Sequence, residues 1–302
     1  MTGISRARAW LLACRPKTLP AAVAPVLVGS ALARAVGGFR PAPALAALVG
    51  AVALQIASNL ANDVFDHERG ADGPDRIGPL RVTQAGLIAP RQMKAGIAVA
   101  LALATACGVY LAAVAGWPVI AIGLASIAAA LAYTAGPWPL AYLGLGDLFV
   151  MLFFGFVAVA GTVWVQARTI PDATWPAAFA VGSFGTAILV VNNVRDIDSD
   201  RRAGRRTIPV RFGREAGIAE YAALLVVAYG TPVTMVAAGL ASPWALLCEL
   251  TLPLAVGQLL VLARRTDGPS LNRALAGTAR VMVLHAALLA AGIAARGAGG
   301  GP

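Results

Sequence analysis

Two groups of carboxylates and amides close long apolar runs: Asn59, Asn62, Asp63 and Asp66 in one, and Asn192, Asn193, Asp196, Asp198 and Asp200 in the other. A carboxylate carried into a bilayer costs roughly 2.5–3.5 kcal/mol on insertion scales, so acids at such places mark function more often than packing. A helix advances about 100° per residue, which puts Asn59, Asn62, Asp63 and Asp66 on one arc about 100° wide. Asn192, Asn193, Asp196 and Asp200 share a second such arc, from which Asp198 points away. Two oxygen stripes facing one cavity would repel each other unless cations bridged them. The chemistry implied is a divalent metal, Mg²⁺ or Mn²⁺ for an all-oxygen donor set, shared with a diphosphate. The chain's two histidines, His67 and His285, are too few for a nitrogen-rich zinc site, and His285 reads as a hydrogen-bonded core residue.

Arginines flank both stripes: Arg69, Arg76 and Arg81 after the first, Arg195, Arg201, Arg202, Arg205 and Arg206 around the second. Guanidinium groups grip phosphate oxygens in pairs. Topology alone explains most of these arginines, and two or three are expected on the diphosphate, with Arg76, Arg81 and Arg206 as the candidates. Competing readings of the stripes are a structural network capping helix ends and the ion relay of a cation-coupled transporter. Transporters place broken helices at the midplane and carry inverted repeats, whereas these acids sit at helix ends.

The elements that hold the stripes are transmembrane. Of 302 residues 59% are hydrophobic and 13% charged, half the charge of an ordinary soluble domain. Nine spans are expected, at about 18–36, 42–66, 95–115, 118–136, 141–166, 174–195, 216–239, 242–263 and 272–295. The net charge of +10 is distributed between spans rather than along a surface stripe, so no nucleic-acid partner is expected. With a cytoplasmic N-terminus, 19 of the 24 basic residues fall on the inner side, as topology demands. Both stripes and the two long polar loops, 67–94 and 195–215, then share the cytoplasmic face as a cap. The whole chain, 1–302, reads as one membrane domain with a glycine-rich tail at 297–302 expected to be disordered. Cys14 follows too short an apolar run to be a lipidation site, and the three cysteines form no motif.

At these residues the chain resembles the UbiA superfamily of membrane prenyltransferases. Asn192, Asp196 and Asp200 match that family's second Asn-x-x-x-Asp-x-x-x-Asp pattern in full. Asn62 and Asp66 match the first, with Gly70 in the third place and Asp72 as the substitute two residues on. The stretch Asp75 to Arg81, with Arg15 to Pro20 and Leu143 to Asp147, is similar to the branch that prenylates 1,4-dihydroxy-2-naphthoate.

The resemblance implies an all-α integral membrane fold, nine helices around a central cavity under a cytoplasmic cap, in a bacterial inner membrane. It implies transfer of a polyprenyl group from its diphosphate to the naphthoate, with loss of diphosphate and carbon dioxide. Other acceptors, 4-hydroxybenzoate or homogentisate among them, are the alternative. Two Mg²⁺ ions are expected on Asn62, Asp63, Asp66, Asp72, Asn192, Asp196 and Asp200, with Asp66, Asp196 and Asp200 essential for turnover. Lys17, Asn59 and Tyr133 are the acceptor-binding candidates, and Tyr133 and Trp138 are also expected to stabilise the allylic cation through their ring faces. Asp147 is expected either to accept from a basic residue or to sit at a helix N-terminus.

Overall fold

The computed structural model describes residues 4–70, 78, 80–132 and 140–295, and every regular element among them is helical. The long helices are α2 (Pro20–Ala35), α3 (Pro41–Glu68), α4 (Pro90–Ala115), α5 (Pro118–Ala132), α7 (Gly146–Ala167), α8 (Thr174–Arg195), α11 (Arg214–Ala237), α12 (Pro243–Arg264) and α13 (Gly268–Ala295). Short helices α1 (Arg6–Cys14), α6 (Leu140–Leu143), α9 (Ile197–Arg202) and α10 (Ile208–Phe212) lie between or before them. Seven of these helices are long and apolar enough to cross a bilayer, and α1 with its 3₁₀ turn plus α2, bent by 51°, makes an eighth. The remaining expected span, α5, has 15 residues in its described part. Its continuation, with Tyr133 and Trp138, lies outside the described residues, as do Asp72, Asp75, Arg76 and the 297–302 tail.

Proline starts many of these helices because its missing N–H falls where no intrahelical acceptor exists. Pro20, Pro41, Pro90 and Pro243 all occupy such positions. At the other end, Gly116 stops α4 with φ +84°, a conformation side chains resist, and Pro118 follows at once.

Helix α8 is the axis of the bundle: 83% of its apolar window is buried, against 17–50% for the other spanning helices. A helix hydrophobic all round fits that position, since α2, α7, α11 and α13 enclose it. Small residues let the backbones approach. A Cβ on Gly155 of α7 would lie 2.7 Å from the Ala178 carbonyl oxygen and 2.9 Å from the Gly182 Cα. In membranes such close approach is what holds helices together, because lipid offers no hydrophobic drive. Gly155 lies in a π-helical stretch, Met151–Val157, that rephases α7 beside the cavity. Gly155→Val is therefore expected to destabilise the fold by about 1–3 kcal/mol through overpacking. Thermal unfolding in detergent reads this, and an unchanged midpoint would show that α7 and α8 tolerate separation.

Candidate active site

The last turns of α3 and α8 end at one place. On α3, Asn59, Asp63 and Asp66 are buried and Asn62 is half-buried; on α8 and α9, Asn193, Asp196 and Asp200 are buried. Helix α8 stops at Arg195, yet the Asp200 amide still donates to the Asp196 carbonyl at 2.8 Å, so one turn carries the stripe onward. Asp198 lies off it, its side chain 79% exposed beside Arg201.

The facing of the two tips is shown by one side chain. Arg205 donates from Nη2 to Asp66 Oδ1 at 2.9 Å and from Nη1 to Asp200 Oδ1 at 3.1 Å. Asp66 receives a second guanidinium, Arg81 Nη2 to Oδ2 at 2.7 Å. Arg195 grips Asp196 with two bonds, 2.8 and 2.5 Å, and reaches Asn192 at 2.5 Å and Asn272 of α13 at 2.8 Å. Burial pushes the Asp200 carboxyl up to about 6; Arg205 pulls it down, and Asp196 and Asp66 push it further up. Desolvation alone would lower the Arg205 pKa, but the charges of Asp66 and Asp200 raise it well above the ordinary arginine value.

Asp63 shares the arc of Asp66 but not its partners. Its Oδ1 accepts from the Thr83 amide at 3.0 Å and its Oδ2 from the Val82 amide at 3.2 Å. Both oxygens thus pin the returning loop and aim Arg81 at Asp66. In this structure Asp63 therefore holds the loop. Val82 and Ile88 fasten the same loop by burying themselves among Ala13, Leu60, Val64 and Met93.

Asn59 donates to the Cys14 carbonyl at 3.0 Å and to Thr18 Oγ1 at 2.9 Å, stapling the 3₁₀ turn after α1 onto α3. Arg15 and Thr18 of that turn line the cavity, while Lys17 is exposed and is not among the lining residues. Arg206 is likewise exposed, and its neighbour Arg205 takes the inward place. Asp147 opens α7 as an N-terminal carboxylate, one of the two readings expected for it, and its buried Oδ1 has no partner among the described residues. His285 is a core residue as expected, but its Nε2 has no hydrogen-bond partner among the described residues; Phe184 and Tyr229 surround the ring instead.

Beneath the tips lies a cavity of about 390 Å³. Its polar end carries Arg15, Thr18, Gln55, Ser58, Asn59, Asn62 and Asn192. The rest is mainly apolar, with Leu111, Val119, Phe149 and Phe153 in the wall. Along α3 the lining runs from Ala47 to Asn62, about 22 Å of helix axis, a tube rather than a bowl.

Sequence reasoning passed over Arg205 in favour of Arg206 and gave Asn272 and Arg15 no role. Asn272 carried a signal, an amide opening the last apolar run. Arg205 stands just after the Gly204 turn, where no helical period reaches. Among the described residues no three carboxylate, histidine or cysteine side chains converge on one point.

An apolar cavity within a bundle of membrane-length helices, with buried ion pairs at the tips of two of them, defines an integral membrane protein. The UbiA prenyltransferase family model matches residues 22–295, and the chain belongs to that family of prenyl-transferring membrane enzymes. It is 41% identical over 296 residues, 96% of each chain, to the 1,4-dihydroxy-2-naphthoate octaprenyltransferase of Escherichia coli K12. Its fold resembles the apo structure of a UbiA homolog from Aeropyrum pernix K1, with TM-score 0.73 and 20% identity over 91% of this chain and 98% of that one. A UbiA homolog from Archaeoglobus fulgidus, solved bound to DMAPP and Mg²⁺, matches with TM-score 0.58 and 17% identity over 93% and 98% of the chains.

Asp63→Ala strands two buried backbone N–H groups, each worth about 1–3 kcal/mol unpaired. Lower thermal stability and faster proteolysis within 80–89 are the expected outcomes, with a smaller effect for Asp63→Asn. Asp198→Ala, on an exposed side chain, should leave both readouts at the parent value.

Proposed function

We propose that this enzyme transfers a polyprenyl group from polyprenyl diphosphate to 1,4-dihydroxy-2-naphthoate, releasing diphosphate and carbon dioxide and giving demethylmenaquinol. The observation that carries the reading is Arg205 joining Asp66 to Asp200, because it brings the ends of the two acidic stripes together, and Asn62 and Asn192 of those stripes line the polar end of the cavity. The naphthoate as acceptor is supported by the activity named for the Escherichia coli relative. A prenyl diphosphate with Mg²⁺ is supported by the ligands of the Archaeoglobus fulgidus homolog.

The donor set fits Mg²⁺: Asp66, Asp196 and Asp200 with the Asn62 and Asn192 amides present oxygen only. Each helix tip offers the one or two carboxylates that this ion takes alongside phosphate and water. When bound, the metal supplies charge that stabilises the departing diphosphate oxygens. Arg205 fits the same head group, since its Nε is buried without a partner and a phosphate oxygen would satisfy it.

The chain's residues then act as follows. Arg205 and Arg81 shift part of their hydrogen bonding from Asp66 and Asp200 to the diphosphate as the allylic C–O bond breaks and its electron pair leaves on oxygen. The apolar tube keeps water from the allylic carbon, and Phe149 and Phe153 offer ring faces to its charge. The electron-rich ring carbon bonds to that carbon, and the carboxyl group departs as CO₂, returning its electron pair to the ring. Arg15, which lines the polar end where Lys17 does not, is the cation placed for the acceptor's carboxylate. With the positive-inside bias, the site opens toward the cytoplasm in the inner membrane.

Incubating purified enzyme with Mg²⁺, the naphthoate and prenyl diphosphates of graded length should yield prenylated naphthoquinol by mass analysis; product only with 4-hydroxybenzoate or homogentisate would overturn the acceptor. Asp66→Ala and Asp196→Ala should each lower turnover by about 10²-fold or more while the protein stays folded in detergent.

Acid should raise the metal requirement. Asp200 titrates at about 6, and a ligand must be ionised to hold the ion. The half-saturating Mg²⁺ concentration therefore climbs as pH falls through 6 and flattens above it. A flat dependence between pH 5 and 8 would remove Asp200 from the donor set.

A further inference from the structure

We propose that Tyr142 is a positioning residue, an aromatic post that keeps Arg205 aimed between the two acidic tips. It lies on α6, just before span α7, and neither sequence pattern includes it. The Arg205 guanidinium carbon sits 5.1 Å from the centre of its ring, and that of Arg69, one residue past α3, sits 5.7 Å from the same centre. One ring thus meets an arginine from the segment behind each acidic tip. Both distances are inside the range where a cation is attracted by the π face.

A second contact brings the same segments together. Gly144, with φ +76°, lies so close to the backbone of Arg206, the residue after Arg205, that a Cβ on it would run into the Arg206 carbonyl oxygen. The turn carrying Tyr142 is therefore docked directly against the chain carrying Arg205.

The ring supplies something the carboxylates do not. Arg205 holds Asp66 and Asp200 through its Nη atoms, and those bonds change partners when a diphosphate arrives. A ring face attracts the flat side of a guanidinium and competes for none of its N–H donors. Tyr142 therefore keeps the cation in place through the exchange, with Nε still free to meet a phosphate oxygen.

The inference rests on the proposed diphosphate chemistry, and its test separates the two. Binding of inorganic pyrophosphate to purified protein, by calorimetry, needs neither acceptor nor turnover. Tyr142→Leu is expected to weaken that binding, and to raise KM for the prenyl diphosphate, by about tenfold, with KM for the acceptor unchanged. Tyr142→Phe, which keeps the ring, should recover most of the loss. Gly144→Ala should reproduce the Leu phenotype by pushing the turn away. In an Arg205→Ala background, Tyr142→Leu should add nothing. Unfolding midpoints close to the parent's identify the variants that report on binding. Parental pyrophosphate affinity in a folded Tyr142→Leu, a Phe variant as weak as Leu, or additive losses with Arg205→Ala would each overturn the proposal. Failure of every aromatic acceptor in the parent enzyme would instead overturn the transferase reading, and leave the pyrophosphate result standing.

Discussion

Everything at this site depends on neutralising carboxylates that the fold takes out of water. Asp66, Asp196 and Asp200 are each at most 7% exposed. An ionised carboxylate in such surroundings costs several kcal/mol unless a partner meets it with good geometry. The chain supplies Arg81 and Arg205 to Asp66, Arg205 to Asp200 and a bidentate Arg195 to Asp196. Paired this way, the acids can stand at the membrane edge of an apolar tube without driving the helix ends apart. Removing one member of a buried pair strands the other, which is why these few residues govern stability and chemistry together.

The ion pairs would have no fixed geometry without the apolar architecture behind them. Helix α8 reaches the site through the centre of the bundle, and Gly155 against Gly182 sets its distance from α7. Asn272 ties Arg195 to α13, so the second tip is referenced to the last span as well. The first tip is referenced to the N-terminal turn through Asn59 and to the 80–89 loop through Asp63. The tube between them is lined mainly by small and aliphatic side chains, so it can be dry and long at once.

The spans were legible because hydropathy over twenty residues is a strong signal, and Thr174–Arg195 was placed to the residue. The outward turn of Asp198 followed from helical angle alone. At Asp63 the same angle assigns a face but cannot see a loop folding back to donate two amides. Arg205 and Arg206 differ by one residue in a stretch without periodicity, so only the turn at Gly204 decides which one points inward. That Arg15 lines the cavity while Lys17 is exposed has a similar reason. Arg15 adopts a left-handed conformation, φ 49°, and the 3₁₀ turn after it reverses the facing that a simple helix would give. The π-helical stretch of α7, which includes Phe153 of the cavity wall, leaves no mark in composition. Family resemblance supplied the chemistry that these local patterns could only narrow.

The division between helix and loop carries a functional consequence. The carboxylates stand on the ends of α3 and α8 and on the turn that follows, where backbone bonds hold them rigidly. Arg81 and Arg205 come instead from connecting segments, on long side chains that can change partners. A charged head group entering the mouth meets fixed acids and movable cations. Fixed acids keep a constant geometry for whatever cation they share with it, while movable guanidiniums can follow charge as it gathers on the departing oxygens. The reverse arrangement, rigid arginines and mobile acids, would trap the diphosphate after the bond had broken. In the proposed reaction, release would be favoured by the same flexibility that assists departure, and Asp63 and Gly144 limit that flexibility to the side chains by docking the loops beneath them.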